Sequence, residues 1–437
     1  MSKKQRVLIV SPNFPPINAA DMQRVRMSLP YFSEYGWDPY VLAVAPTAGQ
    51  AQDPLLMETV PPSLPIERVG AVPLAVSRWC GIGNIAIRAL PHLYRTGAEL
   101  IARRRIDLVY FSTTMFFAMP LGRLWRRRFG IPYVLDMQDP WLSDYYEQHP
   151  AASRPPKYST VRRLHAVLEP WTMKRVGGLI SVSDRYLITL RSRYPWLTED
   201  MCTTLPFGAS SRDFEILEAH PQRNSCFQEE PGIAHGVYVG RAGDDMRPAL
   251  RILFDALRVG TASSPEIFGG VKLHFVGTDY ATDGRARKTV YPVARDAGVE
   301  RAVSEQTGRV PYFEGLQLLK DASFLILIGS DDPGYTASKA YPYLMSGKPI
   351  LAIMHERSGL VPVLREARVG TIVTFSDSGR GQAVEDLLAG WRRIMGRLGA
   401  PPDVDQAVVE RFSAREMARR QCEVFDHVTE AVAPLIN

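Results

Sequence analysis

Residues 324–352 constrain the fold more than any other stretch of the chain. Phe324-Leu-Ile-Leu-Ile328 is a short run that is apolar at every position. A strand of that kind is buried on both faces, as strands of a parallel sheet are. A polar turn, Gly329-Ser-Asp-Asp-Pro-Gly334, follows it, and a helix is expected to start at Thr336 to Ser338. Ser346-Gly347 suits a helix stop, and a second apolar run begins at Pro349. Strand, turn, helix, strand is the crossover that joins parallel neighbours. Ser338 and Lys339 fall in the expected first turn, where free N–H groups and the positive end of the helix dipole welcome an anion. The lysine adds a mobile full charge, which suits a phosphate or diphosphate. A capping serine beside a solvated lysine fits the same residues.

The chain opens the same way. Arg6-Val-Leu-Ile-Val10 reads as a buried strand, Ser11 to Ala20 as a loop, Asp21 to Tyr35 as a helix ended by Gly36, and Tyr40-Val-Leu-Ala-Val44 as the next strand. This is the first unit of a doubly wound sheet. Residues 45–75 are Pro-rich and show little periodicity. Further strands are expected at Asp107–Phe111, Pro132–Asp136, Gly178–Val182 and Cys202–Leu205, with helices over Met119–Phe129, residues 155–176 and Arg185–Tyr194. Pro206-Phe-Gly-Ala-Ser210 suits a domain boundary, and the polar stretch 215–232 a linker. A second α/β domain then starts at Gly236-Val-Tyr-Val-Gly-Arg241 and continues through a helix near Ala249–Arg258 and the strand Lys272–Gly277. Residues 279–305 read as a loop with a helix, Val310 as the centre of a short strand, and 404–435 as a closing helical segment.

Composition supports a two-domain enzyme-sized protein: 437 residues, 46% hydrophobic. The N-terminal apolar run is too short for a signal core, and no run is long enough to span a bilayer. Cys80, Cys202, Cys226 and Cys422 are scattered without metal or redox spacing, so reduced thiols in a cytoplasmic protein are expected. No histidines are spaced for metal. Residues 1–205 carry 25 Lys/Arg against 16 Asp/Glu, and the remainder is slightly acidic. Arg103-Arg-Arg105, Arg123, Arg126-Arg-Arg128 and Arg162-Arg163 lie in the basic half, together with Trp79, Phe116, Phe117 and Trp125. Arginines interleaved with aromatics suit an anionic membrane surface. Solvated helix faces have the same composition. No nucleic-acid recognition motif is present, which argues against that partner.

Tyr335-Thr-Ala-Ser-Lys-Ala-Tyr-Pro-Tyr-Leu-Met-Ser-Gly-Lys-Pro-Ile-Leu-Ala352 resembles the donor-diphosphate helix of GT-B glycosyltransferases of the family 4 type, written S-K-L-x-E-Y-L-A-x-G-K-P-I-L-A. Other segments resemble that family in the same order: the opening strand and loop, Val134-Leu-Asp-Met-Gln-Asp-Pro-Trp141, Ser181-Val-Ser183, Pro206-Phe-Gly208, Gly240-Arg241, Gly308-Arg-Val310 and Gly347-Lys-Pro349. The resemblance implies a GT-B α/β fold: two Rossmann-like doubly wound domains facing a central cleft. It implies an acceptor-side domain over 1–205, a nucleotide-sugar donor domain over 206–410, and a final helix over 411–437 that crosses back to the first.

It also implies site residues. Arg241, Ala337, Ser338 and Lys339 would hold the donor diphosphate, with Arg247 in place of the lysine usual after Gly-Arg. Arg309 and Val310 would meet the nucleobase. Asn18, Ala19, Ala20 and Arg24 correspond to the acceptor-side loop P-P-x-x-G-G, with alanines for both glycines. Gln138 and Asp139 take the catalytic positions, Gln138 standing where relatives carry Arg or His; for Asp139 a structural cap on the following turn fits equally. Glutamine can hydrogen-bond a sugar hydroxyl but cannot relay a proton. The family's paired glutamates fall on Gly334 and Pro342, so Asp332 is the candidate to compensate near the sugar and ribose. Pro342 also predicts a displaced or shortened helix start. The reading is a retaining, metal-independent transferase. It moves sugar from a UDP- or GDP-sugar substrate to a glycan or lipid-linked acceptor, in cell-envelope or polysaccharide synthesis, at the inner face of the plasma membrane. No cofactor is expected. A non-catalytic nucleotide- or glycan-binding relative and a nucleotide-sugar epimerase are the alternatives.

Overall fold

The computed structural model describes residues 4–79, 83–143, 147, 158–279, 286–335, 337–376, 380–400 and 402–432. The chain divides into two compact units, residues 1–207 with 414–437, and residues 208–413.

The first unit is built on strands β1 (Gln5–Val10), β2 (Trp37–Val44), β3 (Ile66–Val69), β4 (Leu108–Ser112), β5 (Tyr133–Met137), β6 (Gly178–Ser181) and β7 (Cys202–Thr204). They form one parallel sheet in the order β3-β2-β1-β4-β5-β6-β7. Its helices are α1 (Gln23–Ser28), α2 (Leu74–Trp79), α3 (Ile85–Arg104), α4 (Pro120–Phe129), α5 (Tyr158–Met173) and α6 (Asp184–Arg193). The second unit carries β8 (Ala234–Val239), β9 (Val271–Val276), β10 (Val303–Gln306), β11 (Phe324–Ile328), β12 (Ile350–His355) and β13 (Gly370–Phe375). These too are all parallel, in the order β10-β9-β8-β11-β12-β13. Its helices are α7 (Ser211–Ala219), α8 (Arg247–Ser263), α9 (Pro265–Phe268), α10 (Tyr291–Asp296), α11 (Tyr312–Asp321), α12 (Ala340–Met345), α13 (Leu360–Ala367), α14 (Arg380–Met395) and α15 (Gln406–Glu410). Helix α16 (Ala414–Val432) returns to the first unit.

Burial explains why these runs became strands. Every residue of β4, β5, β11 and β12 is buried, as their largely apolar composition requires, with Ser112, Asp136 and His355 as the buried polar exceptions. Helix α16 is fixed by an aromatic anchor. Phe425 is fully buried, with ring centroids 5.8, 5.4 and 5.0 Å from Phe32, Trp37 and Tyr110. Burying one such ring contributes about 1.5–3 kcal/mol. Close packing also dictates small residues. A Cβ at Gly97 would stand 2.3 Å from Trp125, so α3 can lie over that indole only with glycine there.

Several expectations are corrected. The single helix over Asp21–Tyr35 is three pieces: a 3-10 turn at Ala20–Met22, α1, and a 3-10 turn at Phe32–Tyr35. Pro30 cannot supply an interior N–H, so the helix stops before it. The stretch 45–75 contains strand β3, paired with β2. The strand expected at Val310 is instead β10, whose alternating burial is that of an edge strand with one covered face. Part of the linker 215–232 is helix α7. The helix expected from Thr336–Ser338 begins at Ala340, with Pro342 inside its first turn. Thr336 lies outside the described residues.

Candidate active site

Open parallel sheets hold ligands beyond the carboxyl ends of their strands, where the strand order reverses. In the second sheet the chain leaves β8 toward β9 and β10 on one side and resumes with β11 on the other. The loops after β8 and β11 therefore share the favoured position, and they carry Arg241 and Lys339.

Lys339 reaches back across the sheet end. Its Nζ donates to the Tyr238 hydroxyl and to the Arg241 carbonyl oxygen at 3.3 Å, and it lies 4.1 Å from the Tyr238 ring centroid. The Tyr238 hydroxyl in turn donates to the Arg241 carbonyl. Although some of its surface stays open to solvent, the ammonium is crowded enough that burial, aided by the Arg241 charge, pushes it down to about 7. Asp245 acts in the opposite direction. Gly240 makes this approach possible. Its φ is +129°, and a Cβ there would come within 2.8 Å of Lys339 Nζ.

Arg241 is gripped by Asp245, Nη1 to Oδ1 at 2.7 Å and Nη2 to Oδ2 at 3.0 Å. The Asp245 carbonyl accepts from the Asp331 N–H at 2.8 Å, which ties the two loops together. Desolvation first, and Asp245 next, raise the Asp331 carboxyl above its ordinary value. Arg247 is on α8, paired with Asp244 at 2.8 Å. Ala337 is buried and Ser338 is exposed in a turn, with no side-chain cap on α12. A six-residue helix has little macrodipole, so the helix end contributes little charge of its own here. Asp332 Oδ1 accepts from the Gly334 N–H at 2.8 Å, which folds the turn on itself. Arg309 and Val310 follow β10, the second strand over from β8, in the loop before α11.

The first unit presents a different surface at the ends of β1, β4 and β5. Arg24 is fully buried. Its Nε donates to Asp136 Oδ2 at 2.9 Å, Nη1 to the Pro206 carbonyl at 3.1 Å and Nη2 to the Leu205 carbonyl at 2.7 Å. The guanidinium also lies 4.7 Å from the Phe207 ring centroid. Its geometry is that of a positioning group, with its donors committed inside the unit. Asp136 Oδ2 also receives the Ser112 hydroxyl at 2.7 Å and Gln138 Nε2 at 2.9 Å. Gln138 Nε2 further meets Ser112 Oγ at 3.0 Å and the Asp21 carbonyl at 3.1 Å. The amide nitrogen faces inward on these acceptors, which turns the amide oxygen the other way. Asp139 is exposed, yet the protein around its carboxyl, and secondly Asp21, push it up to about 6. In the acceptor-side loop, the Asn18 N–H bonds the Ala51 carbonyl at 2.9 Å. Ala19 is extended at φ −122°, a conformation open to alanine, and Ala20 begins the 3-10 turn.

Sequence reasoning missed Asp21, Asn13, Thr113, Asp136 and Tyr238, and read Asp245, with Asp244, only as lowering the positive potential beside Arg241 and Arg247. Asp21 is buried and accepts from Asn13 Nδ2 at 2.9 Å and Thr113 Oγ1 at 2.8 Å, which joins the loops after β1 and β4. A usable signal was Asp136, a charge inside an apolar strand, since such a residue must find a buried partner. Among the described residues there is no group of three or more His, Cys, Asp or Glu placed to hold a metal ion.

Residues 24–196 match the model of the glycosyl transferase 4-like domain. That stretch of the first unit is similar to family 4-like glycosyltransferases. No curated protein matches its sequence. Solved structures share the GT-B fold over nearly the whole chain. Trehalose 6-phosphate synthase from Burkholderia multivorans is 14% identical, covering 99% of this chain and 98% of that one, with a TM-score of 0.57. Sucrose-phosphate synthase from Thermosynechococcus elongatus is 14% identical, covering 99% and 98%, with a TM-score of 0.55. HepE from Anabaena, solved with UDP-glucose, is 15% identical, covering 99% of each chain, with a TM-score of 0.54.

Proposed function

We propose that the chain transfers a sugar from a UDP- or GDP-sugar to a glycan or lipid-linked acceptor, with retention of anomeric configuration and without a metal ion, in cell-envelope or polysaccharide synthesis. The observation that carries this reading is the convergence of Arg241 and Lys339 on two loops at the reversal point of the second sheet. A departing nucleoside diphosphate needs its charge neutralised, and two cations within one loop's reach can do that without a metal. Arg241 grips phosphate oxygens through its fork, and Lys339 gains its full charge as the anion arrives.

In the transfer, the bond from the anomeric carbon to the diphosphate breaks, and the acceptor oxygen bonds to the same face. The acceptor's proton passes to the departing phosphate oxygen, so no enzymic nucleophile is required. Gln138 presents its amide oxygen to hydroxyl donors, and Asp139 supplies a carboxylate beside it. Asn18, Ala19 and Ala20 shape the acceptor-side loop. Ala337 and Ser338 offer backbone or hydroxyl donors to the diphosphate, with Arg247 beyond Asp244. Arg309 and Val310 meet the base, and Asp332 with Gly334 lies near the sugar and ribose.

Membrane attachment belongs to the same reading. Helix α4 contains four arginines and no acid, and it exposes Leu124. Helix α5 exposes Val161, Leu164 and Val167 beside Arg163. Apolar side chains among arginines favour an anionic bilayer, which supports attachment at the inner face of the plasma membrane.

The test is a panel of UDP- and GDP-sugars assayed for transfer, hydrolysis and epimerised free sugar, with and without chelator. Transfer that persists with chelator supports the proposal. Nucleotide binding without turnover would give the non-catalytic reading, which the missing carboxylates at Gly334 and Pro342 favour. Epimerised sugar would give the third.

A further inference from the structure

Asp245 sits within the cation pair that the donor-site reading assigns to the diphosphate, and its charge has the wrong sign for that task. Its two carboxylate oxygens occupy the Arg241 fork at 2.7 and 3.0 Å, the end-on geometry that a phosphate would use. The pair is about one-third open on each side, at 35% and 27%. An ion pair so exposed is weak and exchangeable.

We propose that Asp245 is an internal rival of the donor's phosphates and sets a preference for diphosphates over monophosphates. This rests on the donor-site reading and names its selectivity. A ligand takes the Arg241 fork by displacing the carboxylate. A monophosphate exchanges one anionic fork for another and gains little. A diphosphate brings a second anionic group, which reaches Lys339 while the first takes Arg241; Lys339 Nζ is already 3.3 Å from the Arg241 carbonyl oxygen. The displaced carboxylate stays on its loop, because the Asp245 backbone carbonyl is bonded to the Asp331 N–H. From there it repels any bound phosphate, and only a ligand that engages both cations overcomes that repulsion. Asp331 and Asp332, on the neighbouring loop, add to it. Asp245 also supports the charge on Lys339, so its removal changes the protonation behaviour of the site as well as its affinity.

The experiment titrates wild type, Asp245→Asn and Asp245→Ser with UMP, UDP, GMP and GDP by calorimetry at several pH values. Both variants are expected to bind tighter, with monophosphates gaining more. The diphosphate-to-monophosphate preference should shrink by about threefold to tenfold, the size of an exposed ion pair with its repulsion. The pH range over which binding takes up a proton should also move down, which a purely structural role for Asp245 would not produce. Weaker binding of both ligand classes, or an unchanged ratio, overturns the proposal and leaves the donor site standing. Loss of the cooperative melting transition in both variants overturns it too, since Asp245 would then be a structural partner. Wild type that binds none of the four nucleotides removes the donor-site reading and this inference together.

Discussion

Lys339→Met is the perturbation that tests the donor site most directly. The ammonium is held down to about 7 by burial first and by Arg241 next. At pH 7 about half of the free protein carries a charged lysine there, and at pH 8 about one-tenth. A bound diphosphate restores the charged form, because an adjacent anion favours it. Binding must therefore take up a proton above pH 7. Wild-type affinity for UDP or GDP should fall about fivefold from pH 7 to 8 and about tenfold from 8 to 9, the limit of 1.36 kcal/mol per proton per pH unit. The stability sign runs the other way. The folded value is depressed below the unfolded one, so between about 7 and 10.5 the unfolded chain binds the extra proton. Stability should rise with pH across that window, and Lys339→Met should be the more stable protein at pH 7. Calorimetry in two buffers of different protonation enthalpy counts the protons, and urea melts read the stability. A flat affinity between pH 7 and 9 in wild type, or the same slope in Lys339→Met, would refute the assignment.

Arg241→Ala should weaken nucleotide diphosphate binding by about 1.5–3 kcal/mol, the size of a charge-assisted hydrogen bond, read by calorimetry; unchanged affinity in both Arg241→Ala and Lys339→Ala would remove the site. Arg24→Met should destabilise the first unit by about 3–5 kcal/mol in urea melts, because it leaves Asp136 charged and buried, and Asp136→Asn in the same chain should restore part of the loss. Gly240→Ala should lose nucleotide affinity, since a Cβ there meets Lys339 Nζ at 2.8 Å in a backbone conformation that suits glycine; retained affinity would show that Lys339 acts from another position. Binding to anionic vesicles should fall steeply as salt rises, and sedimentation without lipid binding at low salt would count against the α4–α5 surface.

The fold was legible because its strands are buried on both faces. Phe324–Ile328, Arg6–Val10 and Gly236–Val239 have no polar alternation, and that pattern admits few structures besides a central parallel strand. The edge strands β3 and β10 were not legible. Ile66–Val69 and Val303–Gln306 each pair with one neighbour, so half of what makes them strands lies in a distant segment. The start of α12 was legible in its displacement, because proline has a fixed local cost. The charges of the candidate site were only half legible. Arg241 stood out directly after an apolar strand and Lys339 at the expected helix start. The Arg241–Asp245 pair lies within one loop, four residues apart, but nothing local shows that Tyr238 sits beneath Lys339, because that depends on how segments from two different crossovers meet.

The same limit explains why Arg24 and Gln138 read differently in sequence and in structure. By spacing, each is a polar residue just past a strand or loop, where ligand contacts occur. In the folded unit both converge on one oxygen, Asp136 Oδ2. A carboxylate buried to 0% exposure needs several donors at once, and Arg24, Ser112 and Gln138 supply them. The cost of burying Asp136 thus fixes the Gln138 amide with its nitrogen inward. Only the carbonyl oxygen is left to meet a ligand, so this position can accept a hydrogen bond from a hydroxyl and cannot donate one. Replacing Gln138 with histidine removes the amide nitrogen that now bonds Asp136 Oδ2. Loss of that bond would have to be compensated within the same buried network before any proton relay could be gained.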